Sequence, residues 1–284
     1  MGIGSKTAKS GTTNEERVAR MFNNFRKNKE AQTWLKAIGY DFAKIKKLEA
    51  ETTLEKFGRI KSDVLVDVDG KSTGISVKYN QGNGFGQYLR KWADDLCKEC
   101  SAPPDKGKFK WVSVTLKKFA GQDGFQPEQT MTKKELLTLK KTRKRKFCEG
   151  SLKILDRHKK ILISELDKTE RKKILGWIKK NKKKIIRYGL RGKDKKHPPK
   201  FLLVTQHCKG KILRDGIVSM EKAINHFSQG DVFATRDGII MIGKTTMQRK
   251  SGDNGAKAGQ QLQLKLHPSD VFDMESCIET HPKT

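Results

Sequence analysis

Acidic residues are scarce in this chain: 32 Asp and Glu face 62 Lys and Arg, a formal charge of +30 over 284 residues. Self-repulsion of that size opposes compaction, so a folded chain that carries it calls for a polyanionic partner. Cysteine is sparse too. Five residues without framework spacing exclude a disulfide-stapled secreted scaffold and fit a reducing compartment. No apolar run approaches the roughly 18 residues that mark a membrane span, and the opening MGIGSKTAKS has no apolar signal core. The same opening misses the myristoylation pattern at Lys6, where Ser or Thr is wanted. The expectation is a cytoplasmic protein with no membrane partner. The 35% of hydrophobic residues is enough for one or two cored domains, which excludes a disordered polycation.

The positive charge is unevenly placed. Between Lys133 and Arg214 there are 30 Lys and Arg against 7 Asp and Glu. Runs such as KKTRKRK (140–146) and KKNKKK (179–184) alternate there with ILISEL (161–166) and ILGWI (174–178), at spacings that predict amphipathic helices. Such helices can lay cations along nucleic-acid phosphates, which supply affinity and salt sensitivity without reading sequence.

Along the rest of the chain the hydrophobic period changes several times. Residues 12–27 carry Val18, Met21, Phe22 and Phe25 at helical spacing, and short helices are predicted at 31–38 and 53–57. DVLVDVDG (63–70) and GISVKY (74–79) alternate as two strands joined at Asp69-Gly70, a hairpin signal. Residues 86–99 read as helix and 108–119 as strand. Beyond the basic region, strands are expected at 199–206, 231–243 (a hairpin turning at Asp237-Gly238), 245–250 and 260–266, with a short helix at 219–228. The fold expectation is α/β: a mixed β-sheet core flanked by helices (1–125), a basic helical middle region (126–196) and a C-terminal α+β domain (197–284).

The chemistry-bearing stretch is IKSDVLVDVDGKSTGISVKYNQGNGFGQ. Side chains alternate along strands, so a carboxylate at the start of one strand and a Lys two residues after a polar group on the next can project to one edge of the hairpin. That edge suits a hard divalent cation, with Asp63 as oxygen ligand, Ser76 and Lys78 on one face, and the Val77 carbonyl completing the set.

This arrangement resembles the PD-(D/E)XK nuclease superfamily, in particular type II restriction endonucleases. Ser62-Asp63 stands in the place of the Pro-Asp pair and Ser76-Val77-Lys78 in that of the acid-x-Lys triplet, with Ser76 departing from the usual Asp or Glu. The resemblance implies a further acid on the preceding helix, Glu15 first and Glu16 second, a Mg2+ cofactor, and double-stranded DNA as substrate. It also implies a nuclease core for 1–125, backbone binding for 126–196 and sequence recognition for 197–284. Gln81 and Asn83, in the Gly-rich run after Lys78, are expected to approach the DNA backbone. The run GKTTMQRKSGDNGAKAGQQLQLKLHP (243–268) resembles a terminal region that such enzymes place over their target. Arg can bridge two acceptors of guanine and Gln can pair with adenine. Gln248 and Arg249 are therefore the expected base readers, Asp253 accepts from cytosine or orients Arg249, and Lys244, Lys250 and Lys257 touch phosphate.

Two other patterns are set aside. GIIMIGKT (238–245) satisfies the Walker A spacing, but its centre is Ile, Ile, Met and Ile, a strand and not a phosphate-wrapping loop. Cys97 and Cys100 form a lone C-x2-C, and His207 and Cys208 are the one tempting complement for zinc; as neighbours on a strand they point to opposite faces. The leading function is a Mg2+-dependent endonuclease cutting duplex DNA at a short, G·C-containing site, with catalytic half, recognition half and basic arm in one polypeptide that permits a monomer on DNA and implies no protein partner. The alternatives are a non-enzymatic basic nucleic-acid-binding protein and a structure-specific DNA repair nuclease.

Overall fold

The computed structural model describes residues 3–53, 62–80, 86–91, 93–100, 110–120, 168–192, 197–208, 211–235, 239–249 and 262–274. Two compact units emerge, each assembled from separate stretches of chain: 1–86, 187–226 and 266–284 form the first, and 87–186 and 227–265 the second.

The first unit is built on a mixed five-stranded sheet in the order β1-β2-β3-β5-β6, with β1 Leu48–Thr52, β2 Val64–Val68, β3 Lys71–Asn80, β5 Pro199–Cys208 and β6 Lys211–Ser219. The β2–β3 hairpin turns at Asp69-Gly70, as its sequence signals. Both residues adopt positive φ, 49° and 84°, the mirror-image geometry that a two-residue hairpin loop takes up. Asp67 holds the turn by accepting from the Gly70 amide at 2.9 Å. β3 then runs parallel to β5, in register from Ile75 opposite Phe201 to Asn80 opposite Gln206. The strand at 199–206 expected for a C-terminal domain is therefore a core strand of the sheet that carries the Asp63 hairpin. The reason is non-local: a parallel neighbour needs a long crossover, and here the whole basic region lies within it.

Helix α1, Ile3–Asn23, packs on β1, β2 and β3, and α2, Lys29–Ala37, on α1 and β6. Val18, Phe22 and Phe25 recur at the helical period and are buried with Trp34, Leu35, Val64, Val66 and Ile75. The rings of Phe22 and Trp34 meet at 5.3 Å in a tilted pair. Asn28 caps α2 by accepting from the Ala31 amide at 2.8 Å.

The second unit holds an antiparallel succession, β7 Val232–Ala234, β8 Ile240–Ile242, β9 Thr245–Arg249 and β10 Leu262–Leu266, joined at the β10 edge by β4 Gly86–Lys91. Three helices belong with it wholly or in part: α3 Ala93–Glu99, α4 Lys110–Ala120 and α5 Lys168–Arg191, and α6 Met220–Phe227 leads into it. Two sequence expectations are corrected here. Residues 86–91 are strand where helix was expected, because they extend a sheet whose other members lie more than 140 residues downstream, which local periodicity cannot report. Residues 110–120 are helix where strand was expected: Val112, Ser113, Thr115 and Leu116 are buried while Trp111 and Val114 are exposed, a helical stripe and not an alternation. The Walker-like run is strand β8, with Ile240 and Ile242 buried, followed by a turn at Gly243 and strand β9. Among the described residues no helix is long and apolar enough to cross a membrane. The expected helices within 126–167, the 53–57 helix beyond Thr53 and the Asp237-Gly238 turn lie outside the described residues.

Candidate active site

Asp63 sits where the chain enters β2. Its amide donates to the Ile75 carbonyl at 2.9 Å and its carbonyl accepts from the Thr53 amide at 3.2 Å, so its backbone is clamped between β1 and β3. The preceding residue tightens the clamp. Ser62 is fully buried; its hydroxyl donates to the His197 carbonyl at 2.6 Å and its carbonyl accepts from Thr53 Oγ1 at 2.5 Å. Gly74 makes room for it: a Cβ there would strike Ser62 Oγ and would lie 3.0 Å from the Pro198 carbonyl.

β2 begins only after Asp63, so beyond Ile75 the β2-facing edge of β3 continues without a backbone partner from that strand. The Asp63 carboxylate takes over the ladder. Its Oδ2 accepts from the Val77 amide at 2.7 Å, from Ser76 Oγ at 3.0 Å and from Lys78 Nζ at 2.6 Å. The ammonium also donates to the Val77 carbonyl at 2.8 Å. Ser76 is fully buried, whereas the side chains of Lys78 and Asp63 keep 18% and 19% exposure, so the pair is reachable from solvent yet mostly desolvated. All three bonds fall on one carboxylate oxygen; Oδ1 takes none from a described residue.

Of the two acids at this point of α1, Glu15 is the one that feels the charges of Asp63 and Lys78. Glu15 is half-buried on α1, and its carboxyl is pushed up to about 7 by burial and by the negative charge of Asp63, against the opposing pull of Lys78. Glu16 is exposed. The site thus has two carboxylates that repel each other and one ammonium. Among the described residues no set of three or more Asp, Glu, His or Cys side chains converges, because Ser76 stands where a third acid would complete one.

Sequence reasoning missed the polar chain that ties α1 to β5 beside this site. Arg17, two residues after Glu15, lies 2.7 Å from Nδ1 of His207. A guanidinium only donates, so Nδ1 accepts and the proton sits on Nε2. Nε2–H then donates to Thr205 Oγ1 at 3.1 Å, and the buried Thr205 hydroxyl donates to Asn14 Oδ1 at 3.1 Å. His207 is held down to about 4 by burial and the Arg17 charge, so it is neutral at pH 7. It packs edge-on against Tyr79 at 5.1 Å. Asn14 and Arg17 therefore bracket Glu15 with fixed contacts to β5. The sequence signal was only that His207 and Thr205 share a strand face at i, i+2; nothing local links them to residues 14 and 17.

In the second unit, Gln248 is 8% exposed and stands opposite the buried Gln263 across β9 and β10. As an exposed base reader it is revised: its amide lies within the sheet. Arg249 is the last residue of β9, in register with Leu262 of β10. Lys244 is exposed in the turn after β8, where Gly243 takes φ 59°. Asp253, Lys250, Lys257, Gln81 and Asn83 lie outside the described residues.

One solved structure to which the chain is similar is that of restriction endonuclease MspI in complex with its cognate DNA, at TM-score 0.48 and 12% identity, covering 88% of this chain and 83% of that one. No curated protein sequence matches. Residues 105–272, more than half of the chain, match the R.HinP1I restriction endonuclease family. This span includes β5 and β6, which complete the Asp63 sheet, and all of β7 to β10. The chain belongs to the R.HinP1I restriction endonuclease family and is a type II site-specific deoxyribonuclease.

Proposed function

We propose that the protein hydrolyses phosphodiester bonds of double-stranded DNA at a short, G·C-containing site, with Mg2+ as cofactor and Asp63, Ser76, Lys78 and Glu15 as its catalytic group. The observation that carries this reading is the convergence of Lys78 Nζ, the Val77 amide and Ser76 Oγ on a single oxygen of Asp63.

The donor set fits a hard divalent cation. Asp63 Oδ1 and the Glu15 carboxylate are oxygen ligands of the required kind; burial first and the Asp63 charge second lift Glu15 to about 7, and a dication between the two carboxylates relieves the second of these. Asp63 and Glu15 would hold the ion, with the Val77 carbonyl at the same edge. When bound, such an ion withdraws charge from the scissile phosphate and acidifies an attacking water. The rest falls to the protein. Lys78, fixed by Asp63 and Val77, presents an ammonium to the phosphate oxygens as negative charge builds on them, in a partly desolvated setting where that charge counts for more than in water. Ser76, neutral and buried, orients Asp63 without adding charge. Asn14 and Arg17 keep Glu15 on the sheet.

Base reading falls to Arg249 and Asp253, while Gln248 is buried in the sheet. An Arg that bridges two acceptors of guanine is the physical basis for expecting a G·C pair in the site. Lys244, Lys250, Lys257, Gln81 and Asn83 are assigned to the DNA backbone. Run-off sequencing of plasmid digested in Mg2+ tests this reading. The expected result is one short repeated sequence, containing G·C pairs, at every end. Ends scattered without a common sequence would sink it in favour of a structure-specific nuclease.

A further inference from the structure

The longest described helix has a face that the catalytic centre does not use. In α5 the buried side chains are Ile174, Trp177, Ile178, Ile185, Ile186, Tyr188 and Leu190. The opposite face is lysine. Lys172, Lys173, Lys179, Lys180, Lys183 and Lys184 are all exposed, and at 100° per residue they fall within an arc of about 140°. Gly176 lies in the middle of that arc with open space where a side chain would be. From Lys172 to Lys184 it extends roughly 18 Å at 1.5 Å per residue.

These lysines differ from three other cations of the same helix. Arg187 and Arg191 are paired with Glu221 at 2.8 and 3.3 Å, and Lys182 donates to the Gly230 carbonyl at 2.6 Å. None of the six ridge lysines makes an ion pair with a described residue, and Glu170 is the helix's one acid. Six like charges packed along three and a half turns repel one another, and nothing in the described structure relieves that repulsion. A duplex does, since it offers a negative charge every ~1.7 Å of its axis. A flexible ammonium on a four-carbon stem also suits a point contact to phosphate better than a base edge.

We infer that the lysine ridge of α5 is a sequence-blind docking surface for the phosphate backbone of duplex DNA, separate from the residues that read bases or cut. This rests on the reading of the chain as a DNA-cutting enzyme. The ridge supplies capture on DNA that lacks the target, and its signature is salt dependence.

The test uses the full chain with EDTA present and a duplex without the cleavage site, binding being measured by fluorescence anisotropy over a range of salt. The variant is Lys172→Gln, Lys173→Gln, Lys180→Gln and Lys183→Gln together, which keeps helix-forming residues at every position. Four lost phosphate contacts lower the magnitude of the log K against log salt slope by about 3.6. A control removes four exposed lysines elsewhere, Lys27→Gln, Lys29→Gln, Lys36→Gln and Lys46→Gln, and is expected to change the slope by less than one. Circular dichroism melts establish that each variant is folded. An unchanged slope in the ridge variant, or an equal fall in the control, overturns the ridge while leaving the nuclease reading intact. Failure of the unsubstituted protein to bind duplex DNA at all would overturn the nuclease reading itself.

Discussion

Gly74 packs closely on Ser62, the residue before Asp63, and Gly74→Ala tests whether that packing positions Asp63. The added methyl would strike Ser62 Oγ and sit 3.0 Å from the Pro198 carbonyl and 3.2 Å from Ser62 Cβ. Backbone oxygen at the entry to β5 cannot yield readily, so Ser62 must. Its hydroxyl is committed to the His197 carbonyl at 2.6 Å, and turning it away loses that bond in a fully buried place. Overpacking costs about 1–3 kcal/mol and the lost hydrogen bond about 1 kcal/mol more, together about 2–4 kcal/mol of a stability on the order of 5–15 kcal/mol. The assay is urea unfolding of a double-mutant cycle with Ser62→Gly, alongside cleavage rates. Gly74→Ala should lower the midpoint strongly and slow cleavage, since Ser62 adjoins Asp63. In the Ser62→Gly background the methyl finds space, and its cost should fall by more than half. An additive cycle, or a Gly74→Ala protein as stable as the parent, refutes the argument.

Glu15 gives a pH signature. Its folded value of about 7 lies above the unfolded 4.5, so the folded state holds the proton more tightly, and stability from this group is lost as pH rises from about 4.5 through 7. Discounted for partial exposure, the loss is at most about 2–3 kcal/mol. In EDTA, Glu15→Gln should therefore melt above the parent at pH 8 and level with it near pH 4.5; a parallel pair of melting curves across that range would contradict the placement. Thr205→Val removes the donor to Asn14 Oδ1 inside the core and is expected to cost about 1–3 kcal/mol in urea unfolding, with slower cleavage at saturating DNA as α1 loosens; a variant that is destabilised yet cleaves at the full rate would show that this chain of bonds holds the fold and not the site. Arg249→Ala should relax discrimination at one base pair of the cut site by about 1–3 kcal/mol, measured as the ratio of rates on cognate and singly substituted duplexes; an unchanged ratio removes Arg249 from base reading.

How much of this was legible in the sequence follows from how local each signal is. Asp63, Ser76 and Lys78 stand on one hairpin whose turn and alternation are written within 20 residues, so their meeting could be read directly. The helix period that buries Val18 and Phe22 likewise fixed which side of α1 faces the sheet, while the order of Glu15 before Glu16 came from the family resemblance. Strand β1, LEAET, escaped because only Ala50 of it is buried and its acids carry no alternation of hydrophobicity. The run WVSVTL misled because its β-branched residues favour strand, while tertiary packing of α3 on α4 selected the helical stripe. Strand β6 and the Trp34 indole donating to the buried Asp215 carboxylate required knowing that α2 covers it, a contact across 181 residues. The interleaving of two units, with β5 returning to the Asp63 sheet, is tertiary information that no window of sequence contains.

The account stands on the ion-paired edge of β3. Its most direct test is single-turnover cleavage of a supercoiled plasmid in Mg2+ by Lys78→Ala and Asp63→Asn, with both variants verified as folded and as binding DNA. Loss of the Lys78 ammonium at the developing charge is expected to slow cleavage by about 10²–10³-fold, and loss of the Asp63 carboxylate by at least as much, with DNA affinity retained. Cleavage within a few-fold of the parent by either variant would contradict it.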